Sequence, residues 1–223
     1  MIKVFVGADD KLYQIHESVL RSNSQFFDAA LKKCWTEGKA GEVSLPEESA
    51  DAFNAYAQYL YSGELACKGA DTKDDYDILA KLYALGTRLM DHVLADRVLD
   101  ALVATWKEDR SARDPSREGK AFPQLGAIDC IYNATSEGSP GRRLLVDAYV
   151  VHGRSEWEVF EDSAHEERPH SDFLLELAKA LLAKRTVSSK ESAALTEGTS
   201  RTSCAYHHHA KNQMCSAKRR RLA

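Results

Sequence analysis

Apolar and polar residues alternate at the start of the chain. Ile2, Val4 and Val6 share one side of an extended segment, and Lys3 and Phe5 share the other. That period of two predicts a short strand, closed by the turn sequence Gly7-Ala8-Asp9-Asp10. Leu12-Tyr13-Gln14-Ile15 fits the returning strand of a hairpin. The period then lengthens. Residues 16–20 predict one or two helical turns that end near Ser22-Asn23. Ser24 is a candidate N-cap for a helix over residues 25–33, with Phe27 and Leu31 on one face. Glu42-Val43-Ser44-Leu45 predicts a third strand, stopped by Pro46.

Helical spacing dominates beyond Pro46. Phe53, Tyr56, Ala57, Leu60 and Tyr61 form one apolar stripe, and Ser62-Gly63 ends that helix. Ile78, Leu82, Leu85 and Leu89 form a second stripe. Leu94, Val98 and Leu102 form a third, with Asp91 as its expected cap. Residues 107–120 are charged, nearly devoid of apolar side chains and contain Pro115 and Gly119, which reads as a linker. Beyond it three more helical faces are expected: Leu125, Ile128, Ile131 and Tyr132; then Leu144, Ala148 and Val151; then Phe173, Leu174, Leu177 and Leu181. A small three-stranded sheet with clustered helices is an α+β architecture. The expected organisation is a domain over residues 1–106, the linker, a helical extension over 121–185 and a tail over 186–223.

Charge sharpens that division. Residues 1–106 carry 11 Lys and Arg against 17 Asp and Glu, and residues 107–183 carry 10 against 15. The last 40 residues carry 9 against 2, so an acidic body ends in a basic tail. The tail has little apolar periodicity and cannot bury enough surface to offset its ordering entropy, so it is expected to be disordered. The whole chain, 223 residues with a net charge of −4, excludes a generally basic, nucleic-acid-coating protein. No apolar run approaches the roughly 20 residues of a membrane span. The first ten residues turn acidic too soon for a signal peptide. Five scattered cysteines argue against a disulfide framework and for a reducing compartment, nucleus or cytoplasm.

Catalytic constellations are absent from the sequence. It contains no GxSxG, no HExxH, no glycine-rich phosphate loop and no CxxC, so no catalytic residue and no cofactor is expected. The acidic clusters Asp9-Asp10, Asp74-Asp75-Tyr76-Asp77 and Glu166-Glu167 fall in loop or capping contexts and read as solvated surface. His16, at the change from strand to helix, reads as a structural residue bonding nearby backbone. Cys204, His207, His208, His209 and Cys215 are irregularly spaced for a zinc site, which favours two tight pairs, so no metal centre is expected. Lys218, Arg219, Arg220 and Arg221 form a dense cationic run suited to a nuclear import receptor. Without zinc fingers or a basic-region helix, sequence-specific nucleic-acid binding is not expected.

The order of elements and three sequence blocks together resemble the BTB/POZ domain. The first is Tyr13-Gln14-Ile15-His16-Glu17-Ser18-Val19-Leu20-Arg21-Ser22-Asn23-Ser24-Gln25-Phe26-Phe27. The second is Val43-Ser44-Leu45-Pro46-Glu47, followed by Phe53 and Tyr59-Leu60-Tyr61-Ser62-Gly63. The third runs from Asp77-Ile78-Leu79 through Leu82-Tyr83-Ala84-Leu85-Gly86 to Leu89-Met90. Residues 128–135, 142–149 and 173–181 are similar to the C-terminal helical region of small fungal BTB proteins.

That resemblance implies a non-enzymatic protein-interaction module. It implies self-association with another BTB domain or docking of a partner, with a cullin-RING ubiquitin-ligase adaptor or a nuclear transcriptional co-regulator as alternatives. Val4, Phe5 and Val19 are the implied self-association candidates. In adaptors that bind a cullin, a bulky apolar residue two positions before a Glu packs on the scaffold. The matching positions here are Ala40, which is small, and Glu42. Many BTB domains begin with an extra segment that helps form the dimer. This chain starts at Met1, directly in the hairpin, so dimerisation by that route is not implied, and a truncated gene model is the other reading of that start.

Overall fold

The computed structural model describes residues 1–32, 40–65, 72–111, 123–153 and 169–185. The chain divides into two compact units, Met1–Ala180 and Leu181–Ala223. Within the first, strands β1 (Ile2–Val6) and β2 (Lys11–Ile15) pair antiparallel, and β1 pairs parallel with β3 (Glu42–Leu45). The sheet order is β2-β1-β3. Alternation decides its faces. Ile2, Val4, Val6, Ile15, Val43 and Leu45 are buried on the inner side. Lys3, Phe5, Leu12, Gln14, Glu42 and Ser44 therefore occupy the outer side.

Helices cover the inner side. Among the described residues these are α1 (Glu17–Asn23), α2 (Gln25–Ala30), α3 (Ala50–Ser62), α4 (Thr72–Arg88), α5 (His92–Ser111), α6 (Leu125–Ala134), α7 (Pro140–His152) and α8 (Ser171–Lys184). The caps follow the side chains available. Ser24 Oγ accepts from the Phe27 N–H, and Ser49 Oγ accepts from the Ala52 N–H. Asp91 Oδ1 accepts from the Leu94 N–H at 2.9 Å, as its expected capping role requires. Helix α2 is shorter than its expected span, ending at Ala30.

Helix α4 is the hub, packing on α3, α5 and α6. The α4–α6 packing joins the C-terminal helices to the same core cluster that contains Val4, Phe53, Leu82 and Leu94. The expected linker starts too early: α5 runs to Ser111. Its apolar stripe continues through buried Trp106, and Lys107-Glu108-Asp109-Arg110 contains good helix formers. Residues 112–120 of that linker, and the whole of residues 186–223, lie outside the described residues.

Two of the expected faces are kept only in part. On α7 the buried residues are Gly141, Arg142, Leu145, Val146, Ala148 and Tyr149, so the expected Ala148 is buried, whereas Val151 is exposed. On α8 the expected Phe173 and Leu177 are buried, whereas Leu174 and Leu181 are exposed. Arg142 accounts for the inward side of α7. Its guanidinium caps the end of α6 by donating to the Tyr132 carbonyl at 2.8 Å and to the Thr135 carbonyl. It also faces Glu176 of α8 at 3.5 Å and lies over the Tyr132 ring, 4.5 Å from its centroid. The Tyr132 hydroxyl donates to the second oxygen of Glu176 at 2.8 Å. A buried cation requires such compensation, and it fixes which side of α7 turns inward.

Candidate docking groove

Exposed apolar residues occur at several places among the described residues, and the outer side of the sheet carries one of them, Leu12. Phe5 lies opposite Leu12 on β2 and beside Ser44 on β3. Leu12 is 48% exposed. Beyond β3 the surface dips into a groove of about 540 Å³, lined by Phe5, Phe26, Ala29, Ala30, Glu42, Val43, Ser44 and Met90. Aromatic rings stand at Phe5 and Phe26, and small side chains lie between them. Among the described residues, Glu42 is the single charged residue of this lining.

Local sequence explains each wall. Gly41 adopts φ +65°, a left-handed backbone that turns the chain sharply into β3. Its carbonyl accepts the Lys3 N–H at 3.0 Å, which sets the β1–β3 register. Glu42 then falls opposite Lys3, and their side chains pair at 2.9 Å with both half exposed. Such an exposed pair contributes little to stability, at most about 1 kcal/mol. The wall from α2 is anchored through Leu89. Its carbonyl accepts from Ser24 Oγ at 2.6 Å and from the Phe26 N–H at 3.3 Å. Those two bonds bring Phe26 beside Met90.

Met90 itself sits at φ +51°. It occupies the first position after the α4 C-cap, with its N–H donating to the Thr87 carbonyl at 3.2 Å. The Asp91 N–H donates to the Gly86 carbonyl at 2.9 Å. This is the paired bonding of a Schellman motif, in which glycine usually takes the left-handed position.

The sequence-derived candidates distribute unevenly. Phe5 and Glu42 converge on the groove. Ala40 is exposed, one residue before the Gly41 turn. Val4 has no exposed surface and belongs to the core, because β1 alternation points it inward, so its side chain offers nothing to a partner. Val19 is half buried and packs against the core cluster. Lys218, Arg219, Arg220 and Arg221 lie outside the described residues, as do Cys204, His207, His208, His209 and Cys215. Sequence reading missed Phe26, Ala29, Ala30, Val43, Ser44 and Met90. Alternation already put Ser44 outward beside Phe5, but nothing local joined these strands to Met90.

Other chemistry-bearing residues have structural partners. His16 is exposed, and its ring bonds a side chain rather than backbone: Nδ1 lies 2.8 Å from the Tyr61 hydroxyl. That hydroxyl also accepts the His16 backbone N–H at 3.1 Å. Burial pushes the Cys130 thiol pKa up, which disfavours the reactive thiolate. Among the described residues no cluster of His, Cys, Asp and Glu has the makings of a metal site. No described helix is long and apolar enough to cross a membrane.

The three-stranded mixed sheet, the hairpin leading into α1, and the α4–α5 pair at the end of the first 100 residues agree with one family. Residues 2–95 match the BTB/POZ domain. The chain carries a BTB/POZ domain. Its fold is the α+β arrangement expected of that domain, and the domain marks the protein as a protein-interaction module. The matched segment ends within α5, and α6 to α8 come after it. No curated protein matches the chain.

Proposed function

We propose that the chain is a non-enzymatic docking module, and that the groove beside β3 receives a helical segment of a partner protein. The supporting observation is the convergence of Phe5, Phe26 and Met90 on one open, mostly apolar concavity with a carboxylate at its rim. A helix laid in a groove buries an apolar face and aligns its polar residues with the rim. Residues 1–106 are acidic overall, and among the described residues Glu42 is the charge in the lining. The partner segment therefore carries apolar anchors and a cation placed to meet Glu42.

A cullin scaffold is the partner class to test first. Ala40 and Glu42 hold the positions through which the resemblance implies cullin contact, and Glu42 lines the groove. Ala40 supplies little apolar area, so Phe5, Phe26 and Met90 would carry the contact instead. Titration calorimetry of the full chain with the N-terminal domain of a cullin tests this. Saturable binding is expected, weakened at least about 30-fold by Phe5→Glu, the size of a hot-spot loss. Equal affinity for both chains would rule out the groove as the docking site.

Self-association is the second reading, favoured by the outer edge of β2, which pairs with no other strand among the described residues, and by the exposure of Leu12. Sedimentation equilibrium separates it from partner docking, since a concentration-dependent dimer weakened by Leu12→Lys would support it. Nuclear import through Lys218, Arg219, Arg220 and Arg221 rests on sequence. It predicts loss of nuclear accumulation when the chain is ended at Thr186.

A further inference from the structure

We infer that the exposed side of α8 is a two-fold dimer seam, on which a second copy of this chain lays its own α8 antiparallel. The inference is independent of the groove, and the seam lies outside the segment that matches the BTB/POZ domain.

Helix α8 is apolar on more sides than it buries. Phe173 and Leu177 are its buried residues. Leu174, Leu175, Leu181 and Leu182 are 40%, 54%, 48% and 65% exposed, which together leaves about two whole leucines of surface on a 14-residue helix. A helix that is apolar all round is one that is covered all round. The exposed leucines are spaced for a single partner helix. Counted from Ala178, itself exposed, they stand at −4, −3, +3 and +4, the offsets that share one face of a helix.

That spacing reads the same in both directions, and the flanking charges reverse sign across it. Asp172 stands six residues before Ala178 and Lys184 six residues after, both exposed. A two-fold axis at Ala178 therefore sets Leu174 opposite the partner's Leu182, Leu175 opposite the partner's Leu181 and Asp172 opposite the partner's Lys184, each pair occurring twice. A two-fold interface requires this self-complementarity, which an unrelated partner would not impose on the sequence. A parallel pair would instead set Asp172 against the partner's Asp172 and align the two helix dipoles. Small Ala178 at the axis lets the helices approach closely. Asp172 also faces Arg142 of its own chain at 3.7 Å, and more than half of its side chain stays exposed. Charge at such exposed positions sets orientation and register more than affinity. Two helices paired over 14 residues fall at the low end of specific interfaces, so a reversible, micromolar dimer is expected rather than a permanent one.

Sedimentation equilibrium of the full chain tests this with two complementary variants. Wild type should dimerise reversibly. Leu175→Glu and Leu181→Lys, both at exposed positions, should each weaken the dimer at least about tenfold. Mixed in equal amounts, the two variants should recover a dimer to within about threefold of wild type, because the antiparallel register sets the new carboxylate of one chain beside the new ammonium of the other. Wild type that stays monomeric at every concentration overturns the second copy as occupant and leaves the face to a different partner. A dimer that neither variant weakens, or that Leu12→Lys abolishes and these two do not, belongs to the sheet edge and overturns the seam. A mixture as dissociated as its components overturns the antiparallel register and the pairing with it.

Discussion

The Gly141 N–H donates to the Tyr83 hydroxyl at 2.9 Å, at a contact so close that a Cβ on Gly141 would lie 2.4 Å from Tyr83 Cε1. This contact joins α7 to α4, and so the C-terminal helices to the BTB/POZ core. Gly141→Ala must displace a buried ring and should destabilise the chain by about 1–3 kcal/mol, despite alanine's better helix propensity. Tyr83→Phe leaves a buried N-terminal donor of α7 without this acceptor and should lose about 1–3 kcal/mol. Urea midpoints for the two variants and their double mutant measure both. Strong non-additivity is expected because the groups touch.

Arg142 concentrates the attachment of α8. Removing a buried cation's partner, or the cation itself, breaks a network rather than one bond. Arg142→Met should destabilise the chain by about 3–5 kcal/mol, because Glu176 and the end of α6 lose their shared donor. Arg142→Lys should not rescue it, since an ammonium cannot reproduce a fork shared between two carbonyls and a carboxylate. Hydrogen exchange should speed up first in α8. Exchange that rises uniformly over the chain instead would remove Arg142 from this role.

Asp91 serves two elements at once, capping α5 and accepting from Tyr56. Asp91→Asn preserves the capping oxygen but replaces the acceptor of the Tyr56 hydroxyl with an amide donor, so it should cost less than Asp91→Ala without being neutral. Asp91→Ala loses the cap and leaves the Tyr56 hydroxyl without its acceptor, which should cost about 2–4 kcal/mol in thermal or urea unfolding.

Alkaline pH should unfold the chain through its buried tyrosines. Burial, and for Tyr56 the nearby Asp91 carboxylate, push the Tyr56 and Tyr149 pKa values well above the ordinary 10.0. The folded state therefore holds these protons more tightly than the unfolded state. Their contribution is complete below pH 10 and is lost as pH rises above it toward the folded pKa values. Each group lowers stability by about 1.4 kcal/mol per pH unit in that range. Stability measured from pH 9 to 12 should fall more gently in Tyr56→Phe and Tyr149→Phe, after allowance for their altered baselines.

Much of this architecture was legible because local chemistry and tertiary packing agree. The alternation of Ile2, Val4 and Val6, the Ser24 cap and the Asp91 cap each report a local rule that the fold keeps. The inward side of α7 was partly hidden because a buried arginine, normally an exterior residue, joins the aliphatic stripe. His16 could not be paired from sequence, since its partner Tyr61 lies 45 residues away. The groove was half legible: Phe5 and Glu42 were singled out, but Phe26 and Met90 reach it only through the Leu89 carbonyl. Methionine gives no local sign of a left-handed backbone, so the conformation of Met90 was invisible in the sequence.

The docking claim is tested most directly by the methyl resonances of methionine. The chain contains three, Met1, Met90 and Met214, and among the described residues Met90 is the one that lines the groove. A full-length sample with labelled methionine methyls would be titrated with the N-terminal domain of a cullin and followed by NMR. Docking in the groove predicts that the Met90 methyl shifts or broadens as binding saturates, while Met1 stays in place. Saturable binding that leaves Met90 unmoved would contradict it.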